Sequence, residues 1–223
     1  MTRAESVGRT TPDKTDATRP SKAERTERSE KIEKSEKSQQ ALRNNLDAQW
    51  RLSSRYRVKQ LIGTGSYGSV AEAWDSQEKR LVAIKRMQHL FTDLVDCKRI
   101  LREVAILSKL RHDHIIRVYD IMVPRSSKVG CFDELYLVME ICDSDLKKLI
   151  RTGISLSSIQ IDTLLYNTLV GLKYIHSANI YHRDLKPANI LVNQDCSVKI
   201  CDFGLARAVI GEEFTKPGAP SPR

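Results

Sequence analysis

HRDLKPANILV, residues 182–192, is followed at residues 201–207 by CDFGLAR. The spacing of Asp184, Lys186, Asn189 and Asp202 within this pair decides how the rest of the chain is read. Taken singly, each of these polar residues could be a turn former beside an apolar strand. Together they offer a carboxylate that can orient a hydroxyl and accept its proton, a cation to face a phosphate, and oxygen donors of the kind magnesium takes. Those are the parts that phosphoryl transfer needs.

Working towards the N-terminus, GTGSYGSV at 63–70 has the spacing G-x-G-x-x-G-x-V. A dinucleotide-binding glycine turn should lead from a strand straight into a helix and carry an acidic residue near 20 positions further on. Here the residues after Gly68 alternate as a strand does, Val70, Glu72 and Trp74 against Ala71, Ala73 and Asp75. The loop therefore belongs to a hairpin, in which small residues let backbone amides approach phosphate oxygens. Lys85 follows in the apolar strand VAIK, and Glu103 lies on a helix beyond it. Each has an ordinary surface role in isolation. Joined, an ammonium held by a carboxylate can set a positive charge against nucleotide phosphates.

Bulk properties agree with a soluble globular domain. The net charge of +9 suits phosphate-bearing partners, but Lys and Arg are interspersed with Asp and Glu, so neither a nucleic acid nor a membrane is expected as partner. Five cysteines without a CxxC pair suggest reduced thiols rather than a disulfide framework or thiolate zinc site. The N-terminus lacks an apolar signal-type stretch and no run approaches about 18 apolar residues, so cytoplasm or nucleus is the expected location. His112 and His114 form an HxH pair with no further spaced ligands and read as structural.

The chain divides into a polar tail over 1–50, disordered or weakly helical, a β-rich part over 56–142, a helical part over 143–207, and an irregular Gly- and Pro-containing end over 208–223. The spacing predicts strands at YRVKQLIG, SVAEAWD, RLVAIKRM, IIRVYDIMV and ELYLVME, and a helix over 98–110 with Ile100, Val104, Leu107 and Leu110 on its apolar stripe. Ser157 and Gln160 form a capping-box pattern that opens a helix running to SAN. That helix has too wide an apolar face for an ordinary surface helix and should be enclosed by other elements. ILVN and VKIC read as two further short strands.

Taken together, these segments resemble a eukaryotic protein kinase, and YLVMEICDSDLKKLI, LREVAILSKLRHDHIIRVYD and VKICDFGLARA resemble the mitogen-activated group. The resemblance implies an α+β, bilobal fold with a complete β-rich small lobe and the first part of a helical large lobe. It implies ATP and Mg²⁺ as cofactors. Gly63, Gly65 and Gly68 would cover the phosphates, Ile62 and Ser66 would belong to the same nucleotide site, and Val70, Ala83 and Leu191 would enclose the adenine. Met139 would stand before the hinge of Glu140, Ile141 and Cys142, and Asp145 would lie near the ribose. Lys85 would pair with Glu103, Asp184 would be the catalytic carboxylate, Lys186 would steady the γ-phosphate, and Asn189 and Asp202 would hold the metal. Lys186 in LKPAN is the form associated with serine/threonine kinases.

By the same likeness Arg99, Arg102, Arg183 and Arg207 would gather a phosphothreonine, and Leu107, Val118, His182 and Phe203 would form one apolar stack. Proline-directed protein substrates and an upstream dual-specificity kinase are the implied partners. The likeness runs over about residues 56–207. No threonine-x-tyrosine pair and no APE segment follow it, so a weakly active or inactive chain that binds ATP or a scaffold is the competing expectation. Leu164, Leu165 and Leu169 would then present apolar surface, and the chain would be poorly stable.

Overall fold

The structure is a computed structural model and describes residues 49–65, 68–125 and 132–209. Most of the tail and of the C-terminal end lie outside the described residues. Strands β1 (Tyr56–Gly65), β2 (Gly68–Asp75), β3 (Arg80–Met87), β4 (Val118–Met122) and β5 (Leu135–Met139) form one antiparallel sheet in the order β1-β2-β3-β5-β4. The period-2 pattern is what splits its side chains between two faces. Val82, Ile84, Tyr136 and Val138 join Ala71 and Ala73 in one apolar cluster, while Met87, Leu137 and Met139 join another with helix α1.

Helix α1 (Leu94–Leu107) begins four residues before the predicted start, because Asp93 caps it by accepting from the Val95 amide at 2.7 Å. Ile100 and Leu107 are buried as the stripe requires, Val104 partly so, and Glu103 is buried too, whereas the helix stops at Leu107, three residues short of the predicted end, with Leu110 buried just beyond it. The short strand β6 (Ser144–Asp145) and helix α2 (Leu146–Arg151) follow, and Asp145 caps α2 through the Lys148 amide at 2.8 Å. Neither element is in the sequence reading.

Helix α3 (Ser158–Ser177) carries the capping box expected of Ser157 and Gln160. It packs with Leu164, Thr168, Gly171 and Ile175, but it is not enclosed: Ile161, Leu165, Tyr166 and Leu169 are exposed. Leu164, expected among the exposed leucines, is buried with Ile190, Val192 and Val198. Strand β8 (Ile190–Val192) pairs with β6 on one side and with β9 (Val198–Ile200) on the other, and β7 (Ile180–Tyr181) pairs with β10 (Arg207–Ala208). A parallel bridge from Ile115 to Ile200, with the Ile116 amide on the Ile200 carbonyl at 3.0 Å, joins the sheet side to the helical side.

One boundary needs correction. Residue 50, assigned to the tail, is Trp50 at 1% exposure, in the core on the outer face of the sheet. A large aromatic ring next to an apolar sheet face removes enough surface from water to outweigh the polarity of its neighbours in the sequence.

Candidate active site

Between the sheet and the helical part lies a cleft of 790 Å³, within the range of small-molecule sites. Ile62, Gly63, Gly65, Gly68, Val70, Ala83 and Lys85 line it from the sheet. Met139, Glu140, Cys142 and Asp145 line it along the connecting segment, and Lys186, Asn189, Leu191 and Asp202 line it from the loops on the other side. Ser66 lies outside the described residues. Asp184 lies in a smaller adjoining cavity of 280 Å³ that it shares with Lys85, Glu103, Lys186 and Asp202.

The glycine hairpin has one position where glycine is obligatory on the protein's own account. Gly68 has φ +140°, and a Cβ there would collide with the Arg86 carbonyl oxygen. From there β2 and β3 run in register, Val70 opposite Lys85 and Glu72 opposite Ala83. This places Lys85 on the cleft face of β3. Its Nζ donates to both Glu103 oxygens, at 2.7 and 2.8 Å, across the sheet–helix packing. Burial alone would lower the Lys85 ammonium, but the Glu103 carboxylate overrides it and holds the pKa above its usual value. The ammonium is therefore kept charged in a largely dry place.

The opposite wall is knitted together by the HRDLKPAN loop. Lys186 Nζ lies 2.6 Å from Asp184 Oδ2, and Asn189 Nδ2 donates to the Asp184 carbonyl at 2.9 Å and to its Oδ2 at 3.1 Å. Two side chains are thereby fixed about one carboxylate. His182 is 3% exposed, packs against Phe203 with ring centroids 4.8 Å apart and the rings tilted by 56°, and bridges the loop to the next segment. Its Nε2 meets the Cys201 carbonyl at 2.8 Å and its Nδ1 accepts the Asp184 amide at 3.3 Å. Burial lowers its pKa, so the neutral ring that this pairing demands is the favoured one. Leu107 and Phe203 are fully buried in the same cluster, with Val118 against it.

Arg183 and Asp202 both have φ +65°, an uncommon region for residues with side chains that concentrates at functional loops. The four arginines do converge in part. Burial lowers the Arg102 pKa, and the like charges of Arg207, Arg183 and Arg99 add to it. Arg102 donates to the Gly204 carbonyl at 2.5 Å, holding α1 against the DFG segment. The two thiols at the cleft, Cys142 and Cys201, are not activated. Burial and Glu140 push Cys142 up to about 12, and burial pushes Cys201 upward as well.

Several cleft residues are absent from the sequence reading. Leu81 shares the face of Ala83 and Lys85 and was accessible from the two-residue period. Ile116 lines the cleft only because of its pairing with Ile200, which no local pattern announces. The hinge is braced by Glu140, which accepts the Arg117 amide at 2.6 Å and meets Lys199 at 3.0 Å. Among the described residues no cluster of three His, Cys, Asp or Glu could hold a metal ion by itself.

A two-lobed α+β fold with a glycine hairpin over a cleft, a buried ammonium–carboxylate pair and an oriented carboxylate opposite is the framework of a phosphate-transferring enzyme. The family model described as protein kinase domain matches residues 56–219, and the chain belongs to that family. It is 46% identical over 162 residues to mitogen-activated protein kinase 16 of Arabidopsis thaliana, covering 73% of this chain and 28% of that protein. It is 44% identical over 167 residues to mitogen-activated protein kinase 9 of the same plant, covering 75% and 32%. Against mitogen-activated protein kinase 12 of Oryza sativa subsp. japonica the identity is 47% over 156 residues, covering 70% and 27%. The likeness within the family is thus to the mitogen-activated group, and the chain spans about three-tenths of the length of these curated relatives.

Proposed function

We propose that the chain is the nucleotide-binding and phosphate-transferring part of a mitogen-activated serine/threonine protein kinase, moving the γ-phosphate of MgATP to protein Ser or Thr hydroxyls. The observation that carries this reading is the arrangement of Lys186 and Asn189 about the Asp184 carboxylate, opposite the Lys85–Glu103 pair across one cleft. The residues fit the cofactor. The cavity has the size for a nucleotide, and two side-chain oxygens, from Asn189 and Asp202, suffice for magnesium, which takes most of its remaining ligands from phosphate and water. Bound MgATP would supply the transferable phosphoryl group.

The chain's own residues would do the rest. Lys85 would place positive charge on the α and β phosphates, and Asp184 would orient the attacking hydroxyl and take its proton. Lys186, released from Asp184 by the stronger charge of the γ-phosphate, would offset charge in the transition state. Met139 and Ala83, opposite each other in register, would bound the adenine end. Proline-directed substrates, an upstream dual-specificity kinase and residence in cytoplasm or nucleus complete the reading.

The test is MgATP-dependent transfer by the purified 223-residue chain to a proline-directed Ser/Thr peptide, beside Asp184→Asn. A fall of about 10²-fold or more in the variant is expected for loss of a general base. A folded chain that binds MgATP and transfers nothing would instead support a regulator that occupies partners without turnover, and failure to bind MgATP would overturn the nucleotide reading itself.

A further inference from the structure

Before β1 begins, residues 49–55 cross the outer face of the sheet as a strap. Its first anchor is Trp50, whose ring lies 6.2 Å from Tyr136 with the Arg86 guanidinium 5.9 Å from its centroid. Next to it, Arg51 holds Glu134 Oε1 through Nε at 3.0 Å and through Nη2 at 2.7 Å. Glu134 is 2% exposed and takes Arg86 at 2.8 Å and the Tyr136 hydroxyl at 2.7 Å as well. The second anchor is Arg55, paired two-pronged with the fully buried Asp75 at 2.8 and 2.7 Å. Between the anchors the chain turns, closed by the Tyr56 amide on the Ser53 carbonyl at 3.1 Å, and Ser54 stands exposed at the corner.

We propose that Ser54 is a phosphorylation site and that its phosphate releases the strap. The hydroxyl is accessible, on a turn, and bracketed by Arg51, Arg55 and Arg57, the setting an arginine-directed protein kinase reads with acidic pockets. That kinase would transfer the γ-phosphoryl group of its own MgATP. The Ser54 Oγ–P bond forms, the bridging bond to the β-phosphate breaks, ADP leaves, and the hydroxyl proton passes to the modifying enzyme's carboxylate base.

The product carries about −1.5 to −2 charges and binds guanidinium two-pronged, so it competes directly with Glu134 and Asp75 for the anchoring arginines. Two features favour the phosphate. The Arg51 side chain is 44% exposed and can turn to it without first breaking out of the core. Glu134 keeps Arg86 and Tyr136, and Asp75 keeps the amides of Gln77 and Glu78, so neither carboxylate is stranded when its arginine leaves. Withdrawal of the Arg51 side chain leaves this end of the strap tied through the Arg51 carbonyl to the Arg125 amide at 3.0 Å, and Trp50 leaves the sheet. It uncovers β5 at Tyr136 and β3 at Arg86, which directly follows Lys85.

The chain has two tryptophans, so Trp74→Phe leaves Trp50 as the one fluorescent reporter. In that background the full 223-residue chain would be treated with an arginine-directed Ser/Thr kinase and MgATP, with mass mapping, and compared with a chain carrying phosphoserine installed at 54 and with Ser54→Ala. Expected are incorporation at Ser54 that falls several-fold in Arg51→Ala, and, in the phosphorylated chain, red-shifted Trp50 emission with acrylamide quenching raised several-fold. Hydrogen exchange of α3 amides should stay slow, marking local release. No incorporation at Ser54, an unchanged Trp50 signal in the phosphoserine chain, or loss of α3 protection together with the strap would each overturn the proposal. None of these readouts requires the chain itself to turn over MgATP.

Discussion

Lys85 and Glu103 illustrate what a single residue can and cannot reveal. In the sequence each had an ordinary reading, a strand lysine and a solvated helix carboxylate, and only their order with HRDLKPAN and DFG joined them. The geometry adds the energetic reason for the pair. The two side chains are 20% and 6% exposed, so each neutralises a charge that the other residue's burial would otherwise leave unpaired away from water. Glu103→Gln strands the ammonium, and a loss of about 3–5 kcal/mol is expected for breaking a buried pair from one side. Lys85→Met combined with Glu103→Leu removes both charges, so its denaturant midpoint should return most of the way to the parent while MgATP affinity stays lost. If the double variant binds nucleotide normally, the pair is structural only. The residues the sequence left unread, Ile116 above all, owe their place to a bridge between distant segments.

At the scale of elements, legibility followed length. The five sheet strands and both long helices show a period over enough residues to be recognised, whereas β6, β7 and β10 have two residues each and α2 has six, too few for any period. Helix α3 shows packing overriding propensity. Gly171 sits mid-helix, where alanine would ordinarily be about 1 kcal/mol better. A Cβ there, however, would lie 3.0 Å from Ile200 Cδ1 and 3.1 Å from the His114 carbonyl oxygen. The glycine lets α3 press against the very turn and strand that bridge the two parts of the fold. Gly171→Ala should therefore destabilise by about 1–3 kcal/mol through overpacking, read as a lower urea midpoint, and an increase in stability would show that the contact yields. At the start of α3, Ser157→Ala removes one half of the capping box and should cost about 1 kcal/mol in the same assay.

For the molecule as a whole, the wide apolar face expected of α3 stands in the structure as Ile161, Leu165, Tyr166 and Leu169, each more than half exposed. Contiguous apolar surface of this kind favours association. Leu165→Glu with Leu169→Lys should shift the 223-residue chain towards monomer in sedimentation, and an unchanged distribution would mean the face does not drive association.

Stability should also depend on pH in a definite direction. His182 and His112 both have pKa values below the ordinary 6.5, chiefly through burial, His114 adding to the effect at His112. Both use Nδ1 as an acceptor, His182 from the Asp184 amide and His112 from the His114 amide at 3.0 Å, and a protonated ring loses that acceptor. The unfolded chain takes up protons as pH falls below about 6.5 while the folded chain resists, so the histidine contribution is complete above about 6.5 and declines below it until the folded values are reached. Each pKa unit of separation is worth about 1.4 kcal/mol. The buried carboxylates Glu134 and Asp75 have lowered pKa values, so their contribution is lost only at more acidic pH and leaves the window between about 5.5 and 7.5 to the histidines. The urea midpoint should therefore fall from pH 7.5 to 5.5. His182→Leu should flatten the slope while lowering stability at pH 7.5, and His112→Phe, which preserves a ring against Tyr174, should remove a further part of it. A slope unaltered in both variants would place the titration elsewhere in the fold.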